Sequence, residues 1–121
     1  MVDWLKLFQE IADKIQREAR PLFGSEKAAE SMGRGAGGDI SKYVDTLAED
    51  IVVKTLEAEK ISCTLITEES GKLEIGGGGE SHVVIDSIDG TTNAIRGIPF
   101  VATCLAHASG SRLSDVDVGL V

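Results

Sequence analysis

Residues 82–93 read HVVIDSIDGTTN, and this stretch contains both the clearest strand of the chain and its clearest candidate site. The apolar run HVV leads into two aspartates three residues apart, Asp86 and Asp89, which are followed by Gly90 and two threonines. Because an Asp-Gly pair is a common turn signal, one interpretation is a strand that ends in a solvated turn. The other is that the carboxylates share a metal ion and that the glycine and the hydroxyl groups hold its ligand. These residues alone leave both interpretations open.

Size and composition restrict the class of protein. A chain of 121 residues is long enough for one domain with a real core. The net charge of −8 argues against a nucleic-acid partner, because backbone phosphates are bound by clustered Lys and Arg. No apolar run approaches the ~20 residues of a membrane span, and the charged segment MVDWLKLFQEIADKIQ has no cleavable-signal pattern. We therefore expect a cytoplasmic protein without a nucleic-acid or membrane partner, in which metal ions could still hold small phosphates.

Hydrophobic periodicity predicts two N-terminal helices. Apolar residues recur at steps of three and four over residues 4–15, with Asp3 as the expected N-cap. A second amphipathic helix is expected over residues 41–60. The segment SMGRGAGGDI (31–40) between them is predicted to be a mobile loop.

Strand-like segments follow the helices. They are residues 61–67, 82–86, 100–109 and 115–121, with a loose hairpin expected over 71–81. Helices first and strands after predict an α+β fold in which two N-terminal helices pack on a mainly antiparallel sheet. Because no terminating signal follows the last strand, we expect residues 1–121 to be a single N-terminal α+β metal-binding domain of a longer protein, with a self-contained mini-domain as the alternative.

Glycine and cysteine patterns are interpreted as structural. Gly33, Gly35 and Gly38 match G-x-G-x-x-G, but a dinucleotide site requires a preceding strand of a βαβ unit, so we interpret them as a flexible loop. Cys63 and Cys104 lie in apolar runs without metal-ligand spacing. We expect both to be buried, reduced strand residues.

The two histidines are assigned to packing. His82 lies four residues before Asp86, which corresponds to ~13 Å along a strand. His107 belongs to a different apolar run. A zinc site is therefore disfavoured.

Acidic residues mark the ends of two predicted strands, namely Glu68 on one and the Asp86/Asp89 pair on the other, and Asp45 lies near the start of the second helix. If the strands are neighbours, their ends bring these carboxylates together. Two carboxylates ~4 Å apart repel by roughly 4 kcal/mol at an effective dielectric constant near 20. Such a cluster requires a cation, a shared proton or wide exposure. Oxygen-only ligands suit Mg²⁺ or Ca²⁺, and Mg²⁺ completes its shell with water and phosphate.

An anion site is predicted directly beside these carboxylates. Gly90, Thr91 and Thr92 would begin a short helix or turn whose free N–H and hydroxyl groups can hold a phosphate. Adjacent metal and phosphate sites are the arrangement for phosphoryl transfer to water. Two Mg²⁺ ions could stabilise the attacking and leaving oxygens, while Asp45 or Glu68 orients the water together with the Thr91 hydroxyl.

The segment TEES at 67–70 followed by DSIDGTTN at 86–93 resembles the paired signature of the inositol monophosphatase family, which also includes fructose-1,6-bisphosphatases. Asp45 in YVDTLAED is similar to the family's helix aspartate. RGIPF at 96–100 resembles the archaeal-type branch, whose members act on both inositol monophosphates and fructose 1,6-bisphosphate. The resemblance extends along the whole chain and corresponds to the N-terminal half of the family.

The resemblance implies a Mg²⁺-dependent hydrolysis of a phosphorylated polyol or sugar by a homodimeric enzyme, without a covalent intermediate. The implied Mg²⁺ ligands are Glu68, Asp86, Asp89 and the carbonyl oxygen of Ile88. The implied catalytic residues are Asp45, Glu68 and Thr91. The implied substrate-binding residues are Asp89, Gly90, Thr91 and Thr92.

The sequence departs from the family pattern at three points, and each departure predicts a structural or functional difference. Ser87 stands where the family usually has proline, so we expect a looser turn. Gly37 stands where archaeal relatives often carry an acidic residue, with Asp39 two positions later, so we do not expect a third, loop-dependent metal ion. The family is roughly twice this length and its C-terminal domain is absent, so the 121 residues alone should have very weak activity.

Two other functions remain as alternatives. The first is a non-catalytic metal-binding or assembly fragment that lacks the second half of the site. The second is a haloacid-dehalogenase-type phosphatase, which forms an aspartyl phosphate through an Asp-x-Asp-Gly-Thr pattern. Because Ser87 and Ile88 both separate the two aspartates here, the spacing disfavours that mechanism.

Overall fold

The first helix begins with a side-chain cap and buries one stripe. In the computed structural model, which describes residues 1–121, α1 covers Trp4–Glu18, and the amide of Lys6 donates to Asp3 Oδ1 at 3.1 Å. The expected N-cap is confirmed, and the stripe it starts is buried at Leu7, Phe8, Ile11 and Ile15. A short 3-10 turn at Arg20–Leu22 ends the helical segment, because the Pro21 ring cannot donate a backbone hydrogen bond.

The second helix, α2, covers Tyr43–Ala58, within the predicted range. Asp45 stands in its first turn, and the amide of Lys42 donates to Asp45 Oδ2 at 3.0 Å. A carboxylate at this position is favoured by the helix dipole and satisfies a backbone donor that the helix leaves free. None of the helices combines the length and the apolar composition needed to cross a membrane.

The segment between the two helices differs from its prediction. In place of a mobile loop, β1 (Ser31–Arg34) and β2 (Ile40–Lys42) form an antiparallel hairpin. Gly33 and Gly38 adopt positive φ values of 92° and 97°, which lets the chain reverse within a few residues. The three glycines of G-x-G-x-x-G therefore belong to a hairpin and not to a parallel-strand crossover.

Five strands form the main sheet in the order β4-β3-β5-β6-β7. They are β3 (Cys63–Thr67), β4 (Gly71–Ile75), β5 (His82–Asp89), β6 (Ala102–Ala108) and β7 (Val116–Leu120), the last preceded by a 3-10 turn at Leu113–Asp115. The β3–β5 pair is parallel and the other pairs are antiparallel, so the predicted mainly antiparallel sheet beneath two helices is confirmed. Two strands differ from the prediction. β5 continues three residues beyond the predicted end, through Asp89, and β4 is a regular strand in the segment 71–81, where only a loose hairpin was expected.

The helices cover one face of this sheet. Leu65 is in register with Val83, and Ile85 with Leu105, and all four side chains are buried in one core with residues of α1 and α2. Ile66 and Val84, which alternate with them, are exposed on the opposite face. Burial of each large apolar side chain contributes about 1.5–3 kcal/mol, so the folded domain depends on this one helix–sheet interface.

The cysteines are both free, as expected, but they differ in burial. Cys63 on β3 is inaccessible, and burial, with a smaller effect of the Glu74 charge, raises its pKa to about 11. Cys104 on β6 is only half-buried, because it faces the sheet surface that no helix covers.

His107 on β6 connects α1 to the sheet. Its ring stacks on Trp4, with centroids 4.2 Å apart and planes inclined by 15°. Nδ1 lies 2.6 Å from Asp117 Oδ1, and Nε2 lies 3.2 Å from Ser81 Oγ. Since both ring nitrogens are satisfied, the polar ring is accommodated in the core, and its assignment to packing is confirmed.

Replacement of His107 by alanine is expected to lower the free energy of unfolding by about 2–4 kcal/mol, because the stack is lost and Asp117 and Ser81 lose their partner. Urea unfolding followed by the fluorescence of Trp4, the single tryptophan of the chain, measures this loss. His82→Ala is the matched control, since the His82 ring has a single hydrogen bond, to the backbone oxygen of Glu80. Equal losses for the two variants would contradict the assignment.

Candidate active site

The parallel pairing of β3 and β5 places Glu68 beside Asp86. Thr67 is in register with Ile85, so the next residue of each strand continues at the same sheet edge. The Glu68 and Asp86 carboxyl groups lie close enough to perturb each other's ionisation. Burial raises the pKa of Glu68, and the charge of Asp86 raises it further, followed by smaller effects of Glu69 and Asp45.

A bulge in β5 turns Asp89 to the same side as Asp86. Two residues three apart on a regular strand point to opposite faces. Here Asp86 pairs with Cys104 and Asp89 with Ala102, so three steps on β5 oppose two on β6 and both aspartates share one face. Burial raises the pKa of Asp86, and the charge of Asp89 is the next cause. Asp89 itself remains exposed.

Asp45 reaches the same edge from α2. Its side chain is buried, Oδ2 accepts from the Lys42 amide, and Thr91 Oγ1 donates to Oδ1 at 2.7 Å. Thr91 Oγ1 also lies 3.3 Å from the carbonyl oxygen of Ile88. A hydroxyl group has one proton, and the shorter bond to a carboxylate is the stronger of the two.

The turn after β5 depends on a glycine. Gly90 has φ 95° and ψ 41°, and a Cβ at this position would lie 2.8 Å from the carbonyl oxygen of Phe100. The side chain of Asn93 donates to that same oxygen at 3.0 Å and closes the turn. Directly after Gly90 begins α3 (Thr91–Arg96), whose first N–H groups have no partner within the helix.

Ser87 does not loosen this turn, in contrast to the expectation from its replacement of proline. It lies inside β5 and is buried. Its carbonyl oxygen accepts from Thr103 Oγ1 at 2.8 Å, which ties the strand to β6 just before the turn. The expectation was wrong because the strand continues three residues further than its apolar pattern indicates.

A cleft of about 220 Å³ opens between α2, the end of β3, α3 and the hairpin. Four of the predicted residues line it, namely Asp45, Glu68, Thr91 and Thr92. Asp86, Asp89, Ile88 and Gly90 lie outside the lining, next to these four in the chain or in the sheet. The lining also includes residues that the sequence analysis had not assigned to the site: Gly35, Gly37, Asp39, Ile40, Lys42, Glu69 and Ile95. The glycine-rich composition of residues 33–38 is the available signal for this hairpin, but by itself it predicts a loop.

The carboxylates have no cationic partner in the protein. None of the ion pairs involves Asp45, Glu68, Glu69, Asp86 or Asp89. No three of the His, Cys, Asp and Glu side chains are placed so that they could hold a metal ion together without moving. Burial is the largest cause of the raised pKa values of Glu68, Glu69 and Asp86, and the charges of neighbouring carboxylates raise these pKa values further. An oxygen-only set of this kind fits a hard divalent cation such as Mg²⁺.

Sequence comparison assigns the chain to a family. A family model described as the inositol monophosphatase family matches residues 3–113, and the chain therefore belongs to this family. The resemblance noted from TEES and DSIDGTTN is confirmed.

Individual relatives and solved structures support the same family assignment. The chain is 38% identical to a fructose-1,6-bisphosphatase/inositol-1-monophosphatase of Methanothermobacter thermautotrophicus, over 98% of this chain and 45% of that protein. It is 37% identical to a bifunctional NADP phosphatase/NAD kinase of Methanocaldococcus jannaschii, over 89% of this chain and 19% of that protein. A solved inositol monophosphatase–fructose 1,6-bisphosphatase superposes with a TM-score of 0.77 at 35% identity, over 88% of this chain and 40% of the other. The chain thus spans less than half the length of these proteins.

Replacement of Glu68 by glutamine is expected to stabilise the domain at pH 7 in the absence of divalent ions. A raised pKa means that the folded state binds the proton more tightly than the unfolded chain, so ionised Glu68 destabilises the fold above its folded pKa. The gain should be about 0.5 kcal/mol after solvent screening, and it should vanish below about pH 4, where the unfolded carboxyl is also protonated. Urea titrations at both pH values measure it.

The exposed Glu57 on α2 supplies the matched control for this charge effect, since Glu57→Gln removes one negative charge far from the cleft. A gain of the same size in Glu57→Gln would assign the effect to net charge. A loss of stability in Glu68→Gln at pH 7 would contradict the electrostatic account.

Proposed function

We propose that these 121 residues form the N-terminal, metal-binding half of a Mg²⁺-dependent phosphoric monoester hydrolase. The substrate would be a small phosphorylated polyol or sugar, such as inositol monophosphate or fructose 1,6-bisphosphate. Family membership and the names of the relatives support the phosphatase class. A cytoplasmic location and a homodimer belong to the same proposal.

The carboxylate edge would hold the cation. The proposed ligands are Glu68, Asp86, Asp89 and the carbonyl oxygen of Ile88. When bound, Mg²⁺ supplies positive charge that stabilises the phosphoryl group and makes a nearby water more acidic. The absence of any Lys or Arg ion pair at this edge supports this role, because the charge of the carboxylates remains available to the ion.

The hydrogen bond between Thr91 and Asp45 is the observation that carries the hydrolytic proposal. With its proton directed to Asp45 Oδ1, Thr91 Oγ1 keeps its lone pairs for a water that approaches from the cleft. That water would pass a proton to Oγ1 as the hydroxyl proton moves to Asp45, so that Asp45 acts as the general base through Thr91. Glu68, on the other side of the cleft, would orient the same water.

The substrate phosphate would lie at the start of α3. Gly90 allows the chain to turn tightly, and the free N–H groups of Thr91 and Thr92 follow at once. Asp89 would contact the substrate from the adjacent strand end. The proposed metal ligands at positions 86, 88 and 89 and the proposed phosphate-binding residues at 89–92 therefore lie within seven consecutive residues.

A chimera tests the catalytic proposal. Residues 1–121 are joined to the part of the Methanothermobacter thermautotrophicus relative that the chain does not cover, and Mg²⁺-dependent phosphate release from the two esters is measured. Asp45→Asn is expected to lower kcat by about 10²–10⁴-fold with a smaller change in KM, because it removes the proton acceptor and leaves the phosphate contacts in place.

Asp50→Asn is the matched control for the chimera, since Asp50 is an exposed residue of the same helix that pairs only with Lys54. Unchanged kcat in Asp45→Asn would contradict the proposal. A chimera that takes up Mg²⁺ but releases no phosphate would favour the non-catalytic metal-binding alternative.

A further inference from the structure

The tip of the β1–β2 hairpin is hydrogen-bonded to the segment that carries Glu68. The amide of Gly37 donates to the carbonyl oxygen of Glu68 at 3.0 Å, and the amide of Ala36 donates to that of Glu69 at 2.8 Å. Thr67, the residue before Glu68, is held in the sheet between β4 and β5. The backbone of Glu68 is thus restrained on both sides, by the sheet before it and by the hairpin after it.

A side-chain contact reinforces these two bonds. Ser41 at the end of the hairpin is buried, and its hydroxyl donates to the carboxylate of Glu69. On the far side of the same segment, the Ser70 hydroxyl donates to the buried carboxylate of Glu49 in α2. Both hydroxyl–carboxylate pairs anchor residues next to Glu68 and leave the Glu68 side chain directed towards Asp86.

A glycine at position 35 lets the hairpin approach Glu69 and Ser41 closely without a shift of either side chain. A Cβ on Gly35 would lie 2.9 Å from both Glu69 Oε2 and Ser41 Oγ, closer than side-chain atoms approach without a shift. The φ angle of Gly35 is not positive, so the requirement is for space and not for an unusual backbone conformation. Ala36 packs its methyl group against Gly71 on the other side.

The hairpin itself contributes little to the hydrophobic core. All four residues of β1 are exposed, and Met32 and Ile40 are among the exposed apolar side chains. Its position therefore depends on hydrogen bonds to the acidic segment and not on apolar burial.

We propose that Ser41 and Gly35 are positioning residues of the active site, which fix the direction of the Glu68 carboxylate by holding the hairpin on residues 68 and 69. This inference rests on the proposed function for its link to the metal ion, but the restraint itself is independent of it. Groups that orient metal ligands commonly change metal affinity by about 10–100-fold when removed.

The test uses Ser41→Ala and Gly35→Ala in the 121-residue chain, with two measurements. Amide hydrogen exchange at Ala36 and Gly37 is expected to rise by about tenfold in both variants, since the bonds to residues 68 and 69 open more often. The dissociation constant for Mn²⁺, used as the probe cation, is expected to rise by about tenfold, while the thermal midpoint stays within about 2 °C of wild type.

Gly119→Ala is the matched control, because a Cβ at Gly119 meets no atom within 4 Å and its φ angle is ordinary. A double-mutant cycle with Glu69→Ala isolates the Ser41 contact, and the exchange effects of the two substitutions should be non-additive.

Three results would overturn the inference: unchanged exchange at Ala36 and Gly37 in Ser41→Ala, fully additive effects in the cycle, or faster exchange with an unchanged Mn²⁺ dissociation constant. If the wild-type chain takes up no Mn²⁺, the proposed function fails, and the exchange measurements alone decide the restraint.

Discussion

The parallel alignment of β3 with β5, in a sheet whose other strands are all antiparallel, is the constraint on which the site depends. Only parallel neighbours end at the same edge, so this one pair brings Glu68 next to Asp86. An antiparallel pairing would have placed these residues at opposite ends of the sheet. The helices contribute by covering a single face, which directs Asp45 from the first turn of α2 to the same edge.

The electrostatic consequence of this arrangement is a site that is unfavourable by itself. Burial and neighbouring carboxylates raise the pKa values of Glu68 and Asp86, and no cationic side chain compensates them. Neutral donors bind only the neighbouring carboxylates: the Lys42 amide and the Thr91 hydroxyl donate to Asp45, and the Ser41 hydroxyl donates to Glu69. The clustered negative charge lowers the stability of the fold. The same charge attracts a cation, and through the cation a phosphate ester.

Periodicity and motif spacing predicted α1, α2 and the strand-end carboxylates because each of these is a local pattern of the chain. The bulge that turns Asp89 to the side of Asp86 was not predicted, since it depends on pairing with β6. The hairpin was not predicted for a related reason. Its glycines are typical of loops, and its order depends on hydrogen bonds to the carbonyl groups of Glu68 and Glu69, more than 30 residues further along the chain. The stack of Trp4 on His107, more than 100 residues apart, has no local signal at all.

The account depends most directly on a divalent cation binding at the ends of β3 and β5. Addition of Mn²⁺ to the ¹⁵N-labelled chain, with paramagnetic broadening of amide signals as the readout, locates the ion without reference to activity. The account predicts broadening centred on residues 67–69 and 85–91, lost in Glu68→Gln. Broadening that follows the exposed acidic residues of α2, such as Glu57, or that is absent at the sheet edge, would contradict it.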